Sequence, residues 1–332
     1  MANDKFFPHR NLAWATILLS IAVLTGSAAI PAGTAEADVP FRNFSFRYYR
    51  ATAYINILSI TIFSRSDVGG GYASVEDTGQ NGVEQVVMKF VSGSTPERAH
   101  GLNRLGLIQE VVRSHQGEKP ESEYFGFMTA SNEESFAQAK AALQSQGKGE
   151  ASYVAAEGSS RGNDVRYAVK YMLKPSSYRW SNAGEFTRDV QADFFGGDPL
   201  HYRETHGDSA ATFLYSVREA IMGDAVQSES RFMHNGKFFR MQTVKAQDKR
   251  IGGEFVKAGL TANAGGIVRL NGTIRNEKSG EETSFRLWFD KQSSNELPLR
   301  FEFRPKSYLK LQFDADPKQR EPQDLVLLTE TK

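Results

Sequence analysis

An alternation of period two recurs through most of this chain, and it limits what the chain can fold into. In Asn163–Leu173, NDVRYAVKYML, the residues Val165, Tyr167, Val169, Tyr171 and Leu173 fall on one face, and Asp164, Arg166, Ala168, Lys170 and Met172 on the other. EFTRDVQADFF (Glu185–Phe195) divides the same way, with Phe186, Val190, Ala192 and Phe194 opposite Thr187, Asp189, Gln191 and Asp193. KFFRMQT, GGIVRLNGTIR and SYLKLQFDAD read alike. In LWFDKQSSNELPLRFEF (Leu287–Phe303) the apolar residues Leu297, Leu299, Phe301 and Phe303 keep odd-numbered parity after a polar break. Successive side chains of a strand point to opposite faces, so each run has one dry face and one wet face. Such strands belong to antiparallel sheets solvated on one side. Gly, Asn, Asp and Pro cluster between the runs, as turns require, and Arg304-Pro305-Lys306-Ser307 reads as a tight hairpin.

Three stretches read as helices. STPERAHGLNRLGLIQEVVRS (Ser94–Ser114) has Pro96 at a first helical position behind Thr95, with Leu105, Ile108 and Val112 as its stripe, weakened by Gly101 and Gly106. SNEESFAQAKAALQSQG opens on a Ser131…Glu134 capping box and ends at Gly147. GDSAATFLYSVREAIMG runs from an Asp208 cap to Gly223, with Phe213, Val217 and Ile221 on one side and Ala210, Ala211, Leu214 and Ala220 making the flank apolar too. The expectation is a mainly β protein: a large antiparallel curved sheet or open barrel wrapped around the third helix, with two further helices. Burying one Leu or Phe stabilises by about 1.5–3 kcal/mol, so a filled core alone accounts for the alternation.

The N-terminus points to export. Lys5 and Arg10 precede the apolar run Asn11–Leu24, small residues come next, and Ala35-Glu36-Ala37 forms an A-x-A site. That order reads as a signal peptide over 1–37, cleaved before Asp38. The rival reading is an uncleaved anchor, against which Gly26, Pro31 and Gly33 interrupt the span. The mature chain, 38–332, reads as one β-rich domain or as two halves, 38–197 and 198–332. With no cysteine among its 332 residues, it has no disulfide framework, no thiol nucleophile, no Cys-ligated metal and no acceptor for a lipoprotein lipid. No later segment is apolar enough to span a membrane. A net charge of +1 with interspersed signs argues against nucleic acid or an anionic lipid surface. The expected place is the periplasm or the extracellular space.

Motifs with chemical content are few. Gly158-Ser159-Ser160-Arg161-Gly162 is formally G-x-S-x-G, which would make Ser160 a hydrolase nucleophile on a strand-to-helix elbow. The next residues, Asn163–Leu173, alternate like a strand, so a hairpin loop is the better reading. Ser145…Lys148 and Ser307…Lys310 match S-x-x-K without the helical turn that a Ser–Lys pair needs. His201, Glu204, His206 and Asp208 in HYRETHGD are metal candidates, one residue off the H-x-x-E-H pattern; solvated polar residues with Asp208 as a cap are the plainer account. Gly69–Gly71 lack the downstream helix of a phosphate cradle and read as a loop or bulge. The aromatic-basic run Phe41–Arg50 reads as the first strand. No cofactor is implied.

The C-terminal third resembles a family of exported bacterial β-rich domains of unknown function. The resemblance rests on Asp208-Ser209 leading into TFLYSVREA, then Leu287-Trp288-Phe289-Asp290, Leu297-Pro298-Leu299-Arg300 and the closing YLKLQFDA, spanning Asp208 to Asp316. Thr95–Gln146 departs from it. The resemblance implies an envelope protein with a sheet around a helix and no known catalytic residues. The functional expectation is a non-enzymatic exported protein that binds a lipid-like ligand or an envelope protein through its curved sheet. The alternatives are a secreted hydrolase using Ser160 or His201/Glu204/His206, and a purely structural scaffold.

Overall fold

The computed structural model describes residues 41–57, 60–80, 82–99, 104–115, 117–129, 151–174, 183–196, 199–206, 210–234, 236–306 and 308–318. The 1–37 signal reading, the Ser131–Gly147 helix, Ser145…Lys148 and Asp208 lie outside them. Among the described residues, fifteen strands form one sheet in the order β8-β7-β6-β5-β4-β3-β2-β1-β15-β14-β13-β12-β11-β10-β9. In chain order they are β1 (Phe41–Ile57), β2 (Ile60–Gln80), β3 (Val83–Ser94), β4 (Leu105–His115), β5 (Glu121–Thr129), β6 (Ala151–Arg161), β7 (Asp164–Lys174), β8 (Arg203–His206), β9 (Ala211–Thr212), β10 (Gln227–His234), β11 (Lys237–Gln247), β12 (Ile267–Asn276), β13 (Glu282–Asp290), β14 (Arg300–Lys306) and β15 (Leu309–Ala315). Every pairing is antiparallel except β9 with β10. Strands from both halves of the chain meet where β1 pairs β15, Tyr49 opposite Ala315.

The apolar faces explain the shape. Tyr49, Met88, Val112, Leu287, Phe301 and Phe313 all point to one side, which the sheet closes over by rolling up. The roll overlaps itself. Phe232 and Phe239, stacked 5.2 Å apart, face the interior, while Met233 and Phe238 on the opposite side of the same hairpin pack against Tyr124, Val165, Tyr167 and Val169 of β5–β7. The β10–β11 hairpin therefore lies as an inner layer beneath β5–β7.

Three helices are described: α1 (Ala183–Phe195), α2 (Phe213–Met222) and α3 (Lys249–Lys257). Helix α2 lies inside the roll, as the alternation and the apolar flank of TFLYSV require. Helix α1 covers the outer face of β5–β7, with Phe194 against Phe125 at 5.7 Å. Helix α3 covers the outer face of β12–β14 through Ile251, Phe255, Trp288 and Leu299. Its N-cap, Asp248, accepts from the backbone of Ile251 (3.2 Å) and from Trp288 Nε1 (3.1 Å). The Trp-acid and Leu-Pro-x-Arg strands thus have structural tasks. Pro298 O accepts from Tyr49 OH at 2.9 Å, and Arg300 pairs with Asp314.

Several expectations are corrected. The helix expected over Ser94–Ser114 is not formed by its described residues: those at 96–99 make a turn behind Thr95, and Leu105–His115 is strand β4. Both faces of β4 are buried, Leu105 and Leu107 outward and Glu110 and Val112 inward, and a strand without a wet face mimics helical spacing. Glu185–Phe195 lies in α1, where Thr187, Val190 and Phe194 are buried at helical intervals; an i, i+4 pair satisfies both periods. The buried helix begins at Phe213 behind Thr212 rather than at Asp208. The β14–β15 turn comes after Lys306, and Pro305 sits at a register shift.

Gly69–Gly71 lie within β2, beside a register shift opposite Ala51–Ala53. A Cβ on Gly71 would stand 2.1 Å from the Val91 carbonyl oxygen, so the bend there admits only glycine. Gly71→Ala is expected to lower unfolding stability by about 1–3 kcal/mol. Gly253→Ala, on α3 where a Cβ meets nothing within 4 Å, should raise it by about 0.5–1 kcal/mol. Denaturant unfolding of the two variants reads both signs.

Candidate functional site

A helix enclosed by a barrel starts with backbone N–H groups that water cannot reach. Thr212, the N-cap of α2, makes no side-chain cap bond. The acceptor comes from across the interior: Glu110 of β4, 1% exposed, takes the N–H of Leu214 on Oε1 (2.8 Å) and that of Tyr215 on Oε2 (2.9 Å). Burial pushes its carboxyl up to about 7, against the lowering by these helix-end donors. The far half of α2 is held by Arg218, whose Nε donates to Glu296 and whose Nη2 donates to Asp77, each at 3.0 Å. Both carboxyls are raised by burial first and lowered by the arginine second.

Ten residues of helix cannot fill this roll. Helix α2 spans about 15 Å, whereas strands such as β3, with 12 residues, run about 40 Å along their length. The remainder is a cavity of about 460 Å³ bounded by Phe213, Leu214, Val217 and Ile221 of α2 and by Phe90, Ile108, Phe285, Leu287, Phe301, Phe303, Leu311 and Phe313 of the sheet. It extends from α2 toward the end where the β1–β2 and β14–β15 hairpins turn. Its walls are overwhelmingly apolar. His234, at the end of β10, borders it beside the Tyr124 ring, 6.2 Å away. Burial first, and Lys237 second, push its imidazole down to about 4. Lys89 also touches the boundary, but it alternates with the inward Met88 and Phe90 and so points to the outer face; burial lowers its amine to about 8.

The residues singled out for catalysis are placed elsewhere. Ser160 is buried on β6 opposite Val165, next to the two-residue turn Gly162–Asn163, so no helix comes after it and the elbow geometry is absent. His201 is exposed ahead of β8. Glu204 and His206 stand on β8, where Glu204 lies 3.8 Å from Arg166 and His206 Nδ1 lies 3.0 Å from Asp164 Oδ1. That bond raises the imidazole of His206 above its ordinary value. Among the described residues no group of three or more His, Asp or Glu is arranged to hold a metal. Glu110 was missed from the sequence. Its signal is an acid at an inward position in LGLIQEVV, visible only once that segment is read as a strand.

A sheet rolled around a helix, with an apolar chamber beside it, defines a β-barrel-like protein. Among solved structures, the chain is similar to the crystal structure of a beta-barrel-like protein of a domain of unknown function, DUF1849, from Brucella abortus. The TM-score is 0.39 and the identity 9%, over 82% of this chain and 95% of that one. That likeness is distant. No family model and no curated protein matches the chain.

Glu110 and His234 give opposite pH dependences. Glu110 is raised, so the unfolded chain ionises first and its contribution to stability falls as pH rises from about 4.5 to about 7. His234 is depressed, so its contribution is complete above about 6.5 and is lost as pH falls toward about 4. Between pH 4.5 and 6.5 they oppose one another. Relative to the wild type, Glu110→Gln should tilt the stability profile toward rising with pH in that window, and His234→Phe should tilt it toward falling. Glu110→Gln also strands one helix-end N–H, at a cost of about 1–3 kcal/mol. Unfolding midpoints at several pH values for the three proteins read the slopes.

Proposed function

We propose that this is a non-enzymatic exported envelope protein that holds a lipid-like, apolar ligand in its interior, beside α2. The cavity carries the reading: about 460 Å³ lies within the roughly 300–1,000 Å³ usual for small-molecule sites, and its lining offers an acyl chain little but Phe, Leu, Ile and Val. A filled scaffold would leave no such space. The hydrolase alternative draws no support from the surroundings of Ser160 or from the exposed His201, Glu204 and His206. Export is supported by the basic, apolar and A-x-A order of 1–37, and it would supply the compartment in which lipids are handled.

Native mass spectrometry and solvent extraction of protein recovered from its own envelope test the proposal. A co-purifying lipid-like mass is expected. Val217→Trp, which projects an indole from α2 into the cavity, should remove that mass and lower the affinity for a polarity-sensitive fluorescent fatty acid at least tenfold. Absence of any lipid under gentle conditions, together with no binding of the probe, would sink it.

A further inference from the structure

The cavity wall offers few polar side chains, and strand parity sorts them. Ser74, Lys89 and Glu302 touch its boundary, but they alternate with Ala73, Met88 and Phe301 of the inner face and so point outward. Arg218 and Glu296 satisfy one another at 3.0 Å, and the Tyr49 hydroxyl donates to Pro298 O at 2.9 Å. Two groups remain. Ser92 stands two residues beyond the inward Phe90 on β3, and His234 two beyond the inward Phe232 on β10; both border the cavity. Among the described residues, neither the Ser92 hydroxyl nor a ring nitrogen of His234 has a hydrogen-bond partner. The wall between them is bare. Ser92 lies opposite Gly106 on β4, and Ile108 opposite Gly126 on β5, both glycines at inward positions. A Cβ on Gly106 would meet nothing nearer than 3.7 Å, and one on Gly126 would stand 4.0 Å from Cε1 of His234. The recess has a floor of backbone, with a hydroxyl at one side and an imidazole at the other.

We propose that Ser92 and His234, across the floor of Gly106 and Gly126, bind the uncharged, hydroxylated head of a monoacyl lipid and discriminate against ionised fatty acids. Since the site needs a chain lying beside α2, it stands on the ligand reading above and names that ligand's class. Burial lowers the imidazole of His234, so the ring is neutral and offers one N–H donor and one acceptor nitrogen. Ser92 adds a hydroxyl that both donates and accepts. A glycerol ester, with two hydroxyls and a carbonyl, can use every one of these positions. An ionised carboxylate would meet no unpaired cation facing the cavity among the described residues: Arg218 is held by Asp77 and Glu296, and Lys89 points away. Burying such a charge without a partner is costly. The cavity, about 460 Å³, lies toward the lower end of the roughly 300–1,000 Å³ of small-molecule sites, which suits one chain rather than two.

Displacement of the fluorescent fatty acid from protein recovered from cells expressing the full-length chain tests this, at a pH of about 8 where a carboxyl is ionised. Monopalmitoylglycerol should displace the probe at a concentration at least about tenfold lower than palmitate does. His234→Phe and Ser92→Ala should each weaken monopalmitoylglycerol by about threefold or more and leave palmitate unchanged. Gly106→Val, whose methyl groups would occupy the recess, should weaken it about tenfold without lowering the melting temperature. On the unaltered chain, the nitrogen-15 shifts of the His234 ring should change when monopalmitoylglycerol is added. Lipids that bind with no preference for the glycerol head, a preference that survives both His234→Phe and Ser92→Ala, or a ring that does not respond would each overturn the proposal. If neither the probe nor either lipid binds, the ligand reading falls and this site falls with it.

Discussion

The interior of this protein depends on one contact, the carboxylate of Glu110 on the leading end of α2. A helix in a dry chamber has donors with nothing to bond, and an uncapped one would be expelled to water or unravelled. Glu110 takes two of those donors at 2.8 and 2.9 Å, and it sits on β4, near the middle of the wall that α2 must face. The contact therefore fixes depth as well as direction. With Arg218 tied to Asp77 and Glu296 at the other end, the helix can neither slide along the roll nor turn about its axis.

That placement creates the cavity. A helix long enough to run the length of the roll would fill it, and one packed against a flat sheet would leave none. Here the helix is short, anchored toward one end and surrounded by strands that continue past it. The unfilled length is walled by phenylalanines from β13–β15, Phe301 stacking on Phe313 at 4.4 Å, and by Phe90 and Ile108 opposite. Rings that pack against each other keep their positions without a guest, which is what holds an apolar space open against collapse.

Much of the architecture was legible in the sequence because each strand with one wet face writes its parity directly. Leu297, Phe301 and Phe303 keep the parity of a wall returning to the same interior, whereas Leu299, just ahead of β14, leaves it to pack under α3. Reading failed where the physics supplies two answers to one pattern. Strand β4 is dry on both sides and lacks alternation; Val190 and Phe194 of α1 suit a helix and a strand equally. Helix α3 went unnoticed because its best signal, Asp248 as cap, precedes a Gly-Gly pair that speaks against a helix. The cavity could not be read at all. Leu, Phe and Ile look the same in sequence whether they fill a space or line one, and the difference lies in the length of α2 set against the length of the wall. Glu110 was hidden by the misread strand that carries it.

The overlap of the sheet has a mechanical meaning. In a closed barrel the girth is set by strand number and stagger, and changing it breaks backbone hydrogen bonds. Here the β10–β11 layer is held beneath β5–β7 by side chains, Met233 and Phe238 against Tyr124, Tyr167 and Val169, with no ladder between them. Such a joint works like a belt without notches. The girth can change by slipping one greasy surface over another, and every rung of the ladder survives the adjustment.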